Sequence, residues 1–131
     1  MDAPAVAVSR DGKRIAAAWM DERTGKNDRK VYWTVSAGGA FVREIPLADD
    51  PKGRKGHPSV AIDAKGTVHG AWEDERSGEQ RIFCGSSEKG SKNVALSPAE
   101  GKAGFPSLAC GRIVGVAFEW DGNIAFSAAG K

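Results

Sequence analysis

The sequence predicts an all-β chain organised as a partial β-propeller, two four-stranded antiparallel blades followed by a three-stranded third. Three observations lead there. A proline-led apolar segment occurs three times, as PAVAVS (4–9), PSVAID (58–63) and PSLACG (106–111), at intervals of about 50 residues. Each copy is followed by further short apolar runs separated by glycine-rich turns, and the chain holds 17 glycines and 6 prolines. No segment carries a helical period of useful length.

Within each repeat the elements follow in order. The proline-led strand suits a segment that enters from a loop, where no ladder donor is yet needed. A second strand ends in a small residue and an aromatic, as IAAAW (15–19), VHGAW (68–72) and VGVAF (114–118). Asp11-Gly12 and Lys65-Gly66 supply hairpin chemistry between the two strands, and the third repeat shortens that connection. A third strand reads VYWT (31–34), IFCG (82–85) and IAFS (124–127). A fourth reads FVREI (41–45) and NVAL (93–96) and has no counterpart after the third repeat. One module with repeats 1–56, 57–104 and 105–131 follows. Four short antiparallel strands per unit is the pattern of a propeller blade. Strands apolar on both faces, rich in Ala and Gly, fit sheets packed between neighbouring sheets; a sandwich would not explain the self-similarity.

Composition narrows the partners. At 131 residues, Lys+Arg 19 against Asp+Glu 17 leaves a net charge of +2 with both signs interspersed, which argues against nucleic acid. No apolar run approaches the roughly 20 residues that cross a bilayer as a helix, so no membrane partner is expected. The start, Met1-Asp2-Ala3-Pro4, predicts no signal peptide. Cys84 and Cys110 fit no metal or redox spacing, and no cofactor is implied. Both align with apolar residues of the sister repeats (Cys84 with Trp33 and Phe126, Cys110 with Val8 and Ile62), so buried free thiols are expected.

The segments AWMDERTG (18–25) and AWEDERSG (71–78), with worn Ser-x-Asp-x-Gly-x-Thr-Trp boxes at TVSAGGAF (34–41) and SSEKGSKN (86–93), resemble the sialidase-like β-propellers that carry BNR or Asp-box repeats. The resemblance covers nearly the whole chain. The third repeat departs from it: EWDGN (119–123) replaces the Asp-x-Arg-x-Gly loop, and Asp121-Gly122 makes a short hairpin. The resemblance implies a carbohydrate or protein ligand and an extracytoplasmic location. It also implies a competing enzyme reading, a fragment of a glycoside hydrolase acting on acidic glycans, whose Tyr nucleophile is an exception among glycosidases. Tyr32, the only tyrosine, aligns with Phe83 and Ala125 and reads as core, so no catalytic residue is assigned.

Seven residues are candidates for ligand contact. Arg23 and Arg76 match the arginines that clamp a carboxylate in the resembling enzymes, and an Arg fork suits that geometry. Their placement two residues after Asp21 and Asp74, copied from repeat to repeat, favours a structural brace between blades over a ligand site. Lys52, Arg54 and Lys55 lie in the basic loop KGRKGH (52–57), expected on the same face as the two arginines, where Asp49, Asp50, Glu22 and Glu75 counter their field. His69 stands where the sister repeats have Ala16 and Gly115, so it is expected to line the central channel or a cleft, or to fill a gap. Trp120 replaces an Asp at a hairpin tip, an exposed aromatic fit for a sugar face, whereas Trp19, Trp72 and Phe118 share one position and read as core.

An incomplete set of blades leaves open edges and an uncovered face at each end. Two arrangements would close them: missing blades of the same propeller, or a second copy giving a ring of roughly six blades. The expected role is a non-catalytic binding or scaffold module.

Overall fold

The computed structural model describes residues 3–129. The start at Met1 and Asp2 and the end at Lys131 lie outside the described residues. Twelve strands form three antiparallel sheets, with no helix among the described residues. The first sheet holds β1 (Ala5–Val8), β2 (Ile15–Asp21), β3 (Lys30–Ala37), β4 (Ala40–Phe41) and β5 (Ile45–Pro46). The second holds β6 (Lys55–Ile62), β7 (Val68–Asp74), β8 (Arg81–Ser86) and β9 (Val94–Ala95), and the third β10 (Ala103–Cys110), β11 (Val114–Trp120) and β12 (Asn123–Ala129). The first blade departs from the four strands read in its sequence. Gly38 and Gly39, at φ of +58° and +85°, turn the chain sharply onto β4. It then leaves the ladder and returns as β5, and both short strands pair with β3.

Register makes the repeat exact enough to compare positions. Ala7 pairs with Ala16, Ala61 with His69 and Ala109 with Gly115. Ala18 pairs with Trp33, Ala71 with Cys84 and Ala117 with Phe126. Successive residues of a strand point to opposite faces, so each blade has one face toward the next and one toward the previous. The first core forms between blades one and two: Ala16, Ala18, Trp33 and Leu47 meet Val60, Val68, Trp72 and Phe83. The second repeats it one blade on, where Ala71, Ile82 and Cys84 meet Leu108, Val114, Val116 and Phe118.

The same register identifies what lies bare. Val6 occupies the position of Val60 and Leu108, which are 7% and 9% exposed, yet Val6 is 62% exposed. Phe126 occupies the position of Trp33 (5%) and Cys84 (8%), yet it is 80% exposed. Trp72 and Phe118 are buried as expected; Trp19, on the first blade's uncovered face, is only half-buried and stacks on Tyr32.

Pro4 stands at the entry to β1 as read, but the other two repeat prolines are not at strand starts. Pro58 and Pro106 fall inside β6 and β10, where the register shifts between Gly56 and Ser59 and between Gly104 and Ser107. A bulge is where a strand tolerates a residue without an N–H donor. The residues before them, His57 and Phe105, take the left-handed region at φ of +43° and +52°. The short third hairpin forms as read: Trp120 pairs with Asn123 across Asp121 and Gly122, at φ of +46° and +80°.

Candidate functional site

At one end of the second and third blades, the loop entering the first strand meets the loop joining the second strand to the third. The Glu75 N–H donates to the Arg54 carbonyl at 2.9 Å, which brings segment 52–54 against the Arg76 loop. This is the shared face expected from the sequence. Its charges, however, are largely engaged with one another.

In the first blade Arg23 Nη2 donates to Asp21 Oδ2 at 2.6 Å and Nη1 to Glu44 Oε1 at 3.1 Å, with the guanidinium 4.4 Å over the Tyr32 ring. The Arg23 hydrogen bond holds the Asp21 carboxyl down at about 2 and raises the arginine in turn. In the second blade Arg76 Nη2 donates to Asp74 Oδ2 at 2.7 Å and to Asn93 at 3.1 Å, and Nη1 to Asp49 at 2.8 Å, over Phe83 at 4.2 Å. Trp72 Nε1 completes the motif with a 2.8 Å bond to Asp74. Arg76 therefore ties the second blade to the connection from the first, whereas Arg23 braces within its own blade.

Lys55 is not a loop residue. It opens β6, its side chain is 0% exposed, and Nζ donates to Asp74 Oδ1 at 2.9 Å and to the Lys52 carbonyl. Burial pushes its pKa down, only partly offset by Asp74. Burial would push Asp74 up, but the bonds from Arg76, Trp72 and Lys55 outweigh it and leave the carboxyl lowered. A cation so enclosed offers nothing to a ligand in solution, because the bulge draws residues 55–57 into the sheet. Lys52 stays exposed and Arg54 half-buried. Trp120 is also less open than a hairpin tip suggests: it packs against the second core, and Nε1 donates to the Glu100 carbonyl at 3.0 Å. Its cross-strand partner is Ala103, so the pair Ala103–Trp120 stands where the second blade has Lys55–Asp74.

The structure brings together a cluster that spacing did not reveal. Glu73 Oε1 lies 2.7 Å from His57 Nδ1, and Oε2 accepts the Phe105 N–H at 2.8 Å. The His57 and Phe105 rings are 4.7 Å apart. Glu73 is buried, with both carboxylate oxygens engaged, and links the two bulges of neighbouring blades. The available signal was a glutamate at this position in two repeats, Glu73 and Glu119, where the first repeat has Met20.

At the opposite end, the hairpin turns and the third-to-fourth-strand loop enclose a cleft of about 730 Å³ between the second and third blades. His69 stands on its wall, with Nε2 2.9 Å from Asp63 Oδ2. Burial acts to raise Asp63, but His69 and the N–H groups of Thr67 and Lys65 outweigh it and lower the carboxyl. His69 thus lines this cleft. Cys84 lies in the floor, and burial pushes its thiol up, as it does for Cys110, which keeps both in the unreactive form. Both thiols are free; Cys84 is buried as read, whereas Cys110 is only half-buried. Among the described residues no group of His, Cys, Asp and Glu is arranged to hold a metal ion. Among the described residues no helix is long and apolar enough to cross a membrane.

No protein-family model and no curated protein sequence matches the chain. Solved structures do. One described as TolB from Agrobacterium tumefaciens is similar over 95% of this chain and 49% of its own, at 16% identity and a TM-score of 0.51. Another comes from the GH130 family of mannoside phosphorylases, described as containing glycoside hydrolases that target β-1,2 mannosidic linkages in Candida mannan. It is similar over 96% of this chain and 47% of its own, at 12% identity and a TM-score of 0.53. These are propeller-type folds, and the chain has that fold. It spans about half the length of the structures it matches.

Proposed function

We propose that the chain is a section of a non-catalytic, ligand- or protein-binding β-propeller, with its two outer faces covered by further blades of the same polypeptide. One observation carries this reading: the bare residues Val6 and Phe126 occupy the positions that Val60 and Trp33 bury where blades meet inside the chain. Faces built to that pattern fit a neighbouring blade better than water. The non-catalytic part of the reading rests on the state of the charged groups. Arg23 and Arg76, the arginines that would grip a substrate carboxylate, are engaged with Asp21, Glu44, Asp74 and Asp49. Tyr32 lies under Arg23 on the first blade's bare face, which in this reading a neighbouring blade covers.

A second reading, a section of a glycoside hydrolase, draws support from Glu73, a buried carboxylate held against His57 at the blade ends. Acidic-glycan specificity of the sialidase kind belongs to this reading.

Sedimentation of the chain tests the first reading. Concentration-dependent association, relieved by Val6→Asp or Phe126→Asp, is expected. A monodisperse monomer at all concentrations, unchanged by either substitution, refutes it. Hydrolysis of any member of a panel of sialosides and β-mannosides, lost in Glu73→Gln, would establish the enzyme reading in its place.

A further inference from the structure

The two interfaces between blades are built from the same positions, but one residue differs in a way that opens space. Between blades one and two, Trp33 packs among Leu47, Val60 and Val68. One blade on, Leu96, Leu108 and Val114 occupy those three positions, and Cys84 replaces the tryptophan. A short side chain where its counterpart has an indole leaves the shell unfilled, and the cleft of about 730 Å³ lies over these residues. That volume is within the range of small-molecule sites, roughly 300–1,000 Å³.

The rim has its own character. Lys65, Lys92 and Arg112 border the cleft, and among the described residues no ion pair engages any of them. The opposing charges are Glu88, also on the rim, and Asp63, whose oxygens are taken by His69 and by the N–H groups of Lys65 and Thr67. Ser86 and Ser91 add hydroxyls at one side, 3.1 Å from each other. An apolar floor with surplus cations at its mouth selects for a molecule with an apolar body and an acidic head.

We propose that the cleft between the second and third blades binds a small organic anion, its apolar body over Cys84, Leu96 and Leu108 and its acidic group against Lys92, Arg112 and Lys65. The site lies within two blades of the chain, so it stands or falls separately from whatever covers the outer faces.

Titration calorimetry of the full chain with 1-naphthoate, 1-naphthamide and inorganic phosphate tests it. Naphthoate is expected to bind at least fivefold more tightly than either of the others. The surface pair Lys92→Ser and Arg112→Ser should weaken naphthoate at least fivefold, and Cys84→Trp, which installs the residue of the first repeat, should abolish binding with the far-ultraviolet dichroism unchanged. Equal binding of acid and amide, no binding of naphthoate at millimolar concentration, or full binding by a folded Cys84→Trp variant overturns the proposal. So does binding lost in Phe126→Ser, which would place the probe on the third blade's outer face. If Cys84→Trp does not fold, the surface pair decides, and unchanged affinity there is equally fatal.

Discussion

Removing the carboxylate of Asp74 should cost far more stability than removing that of Asp21, although both occupy one position of one motif. Asp74 is 0% exposed and accepts from Lys55, Arg76 and Trp72; its loss leaves the Lys55 ammonium, also 0% exposed, without its carboxylate. Breaking a buried pair from one side costs about 3–5 kcal/mol. Against a total stability of about 5–15 kcal/mol for a typical domain, that is a large share. Asp21 is 15% exposed, its partner Arg23 is 48% exposed, and no lysine is buried against it. An exposed pair of this kind contributes about 0–1 kcal/mol. Asp74→Ala and Asp21→Ala, compared by urea denaturation followed through tryptophan fluorescence, should therefore differ by at least about 2 kcal/mol. Lys55→Met supplies the control. It removes the buried ammonium and leaves Asp74 its bonds to Arg76 and Trp72, so its cost should fall below that of Asp74→Ala. If the two alanine variants lose the same stability, or Lys55→Met is the worst of the three, the argument from burial is wrong.

Acid should destabilise the chain in a defined window. Asp21 is held at about 2 by Arg23 against an ordinary 3.8, and Asp74 and Asp49 are also lowered, so at falling pH the unfolded chain takes up these protons first. Their contribution is complete above about pH 4 and is lost as the pH falls toward 2; Asp21→Asn should flatten part of that slope, and a urea midpoint unchanged between pH 5 and 2.5 refutes the assignment. Gly53 takes φ of +77°, and a Cβ there would lie 2.5 Å from the Glu75 carbonyl carbon. Gly53→Ala should therefore cost more than about 1 kcal/mol, the usual penalty of a strained backbone site, and a neutral thermal melt would show that segment 52–54 is not fixed against the Arg76 loop.

The blade pattern was legible in sequence because it depends on local chemistry. Proline-led apolar runs, Asp-Gly turns and small-residue strands each act over a few positions, and their recurrence announced the units. Trp72 and Phe118 could be assigned to the core for the same reason, since a position apolar in every copy has one job. His69 and Trp120 stood out as breaks in the repeat, and His69 does line a cleft.

What the sequence by itself determined is the element order, the repeat and the fold class. Tertiary structure decided which charges meet and which faces are covered. Lys55 read as a solvated loop cation because nothing within a few residues reveals a bulge that draws it into β6 beside Asp74. Glu73, His57 and Phe105 converge only because two neighbouring blades bring their bulges together, a contact between residues far apart in the chain. Trp19 and Trp72 share a motif but differ in burial, since only the second has a blade packed over it. Burial belongs to the neighbour as much as to the residue, and local pattern carries no record of the neighbour.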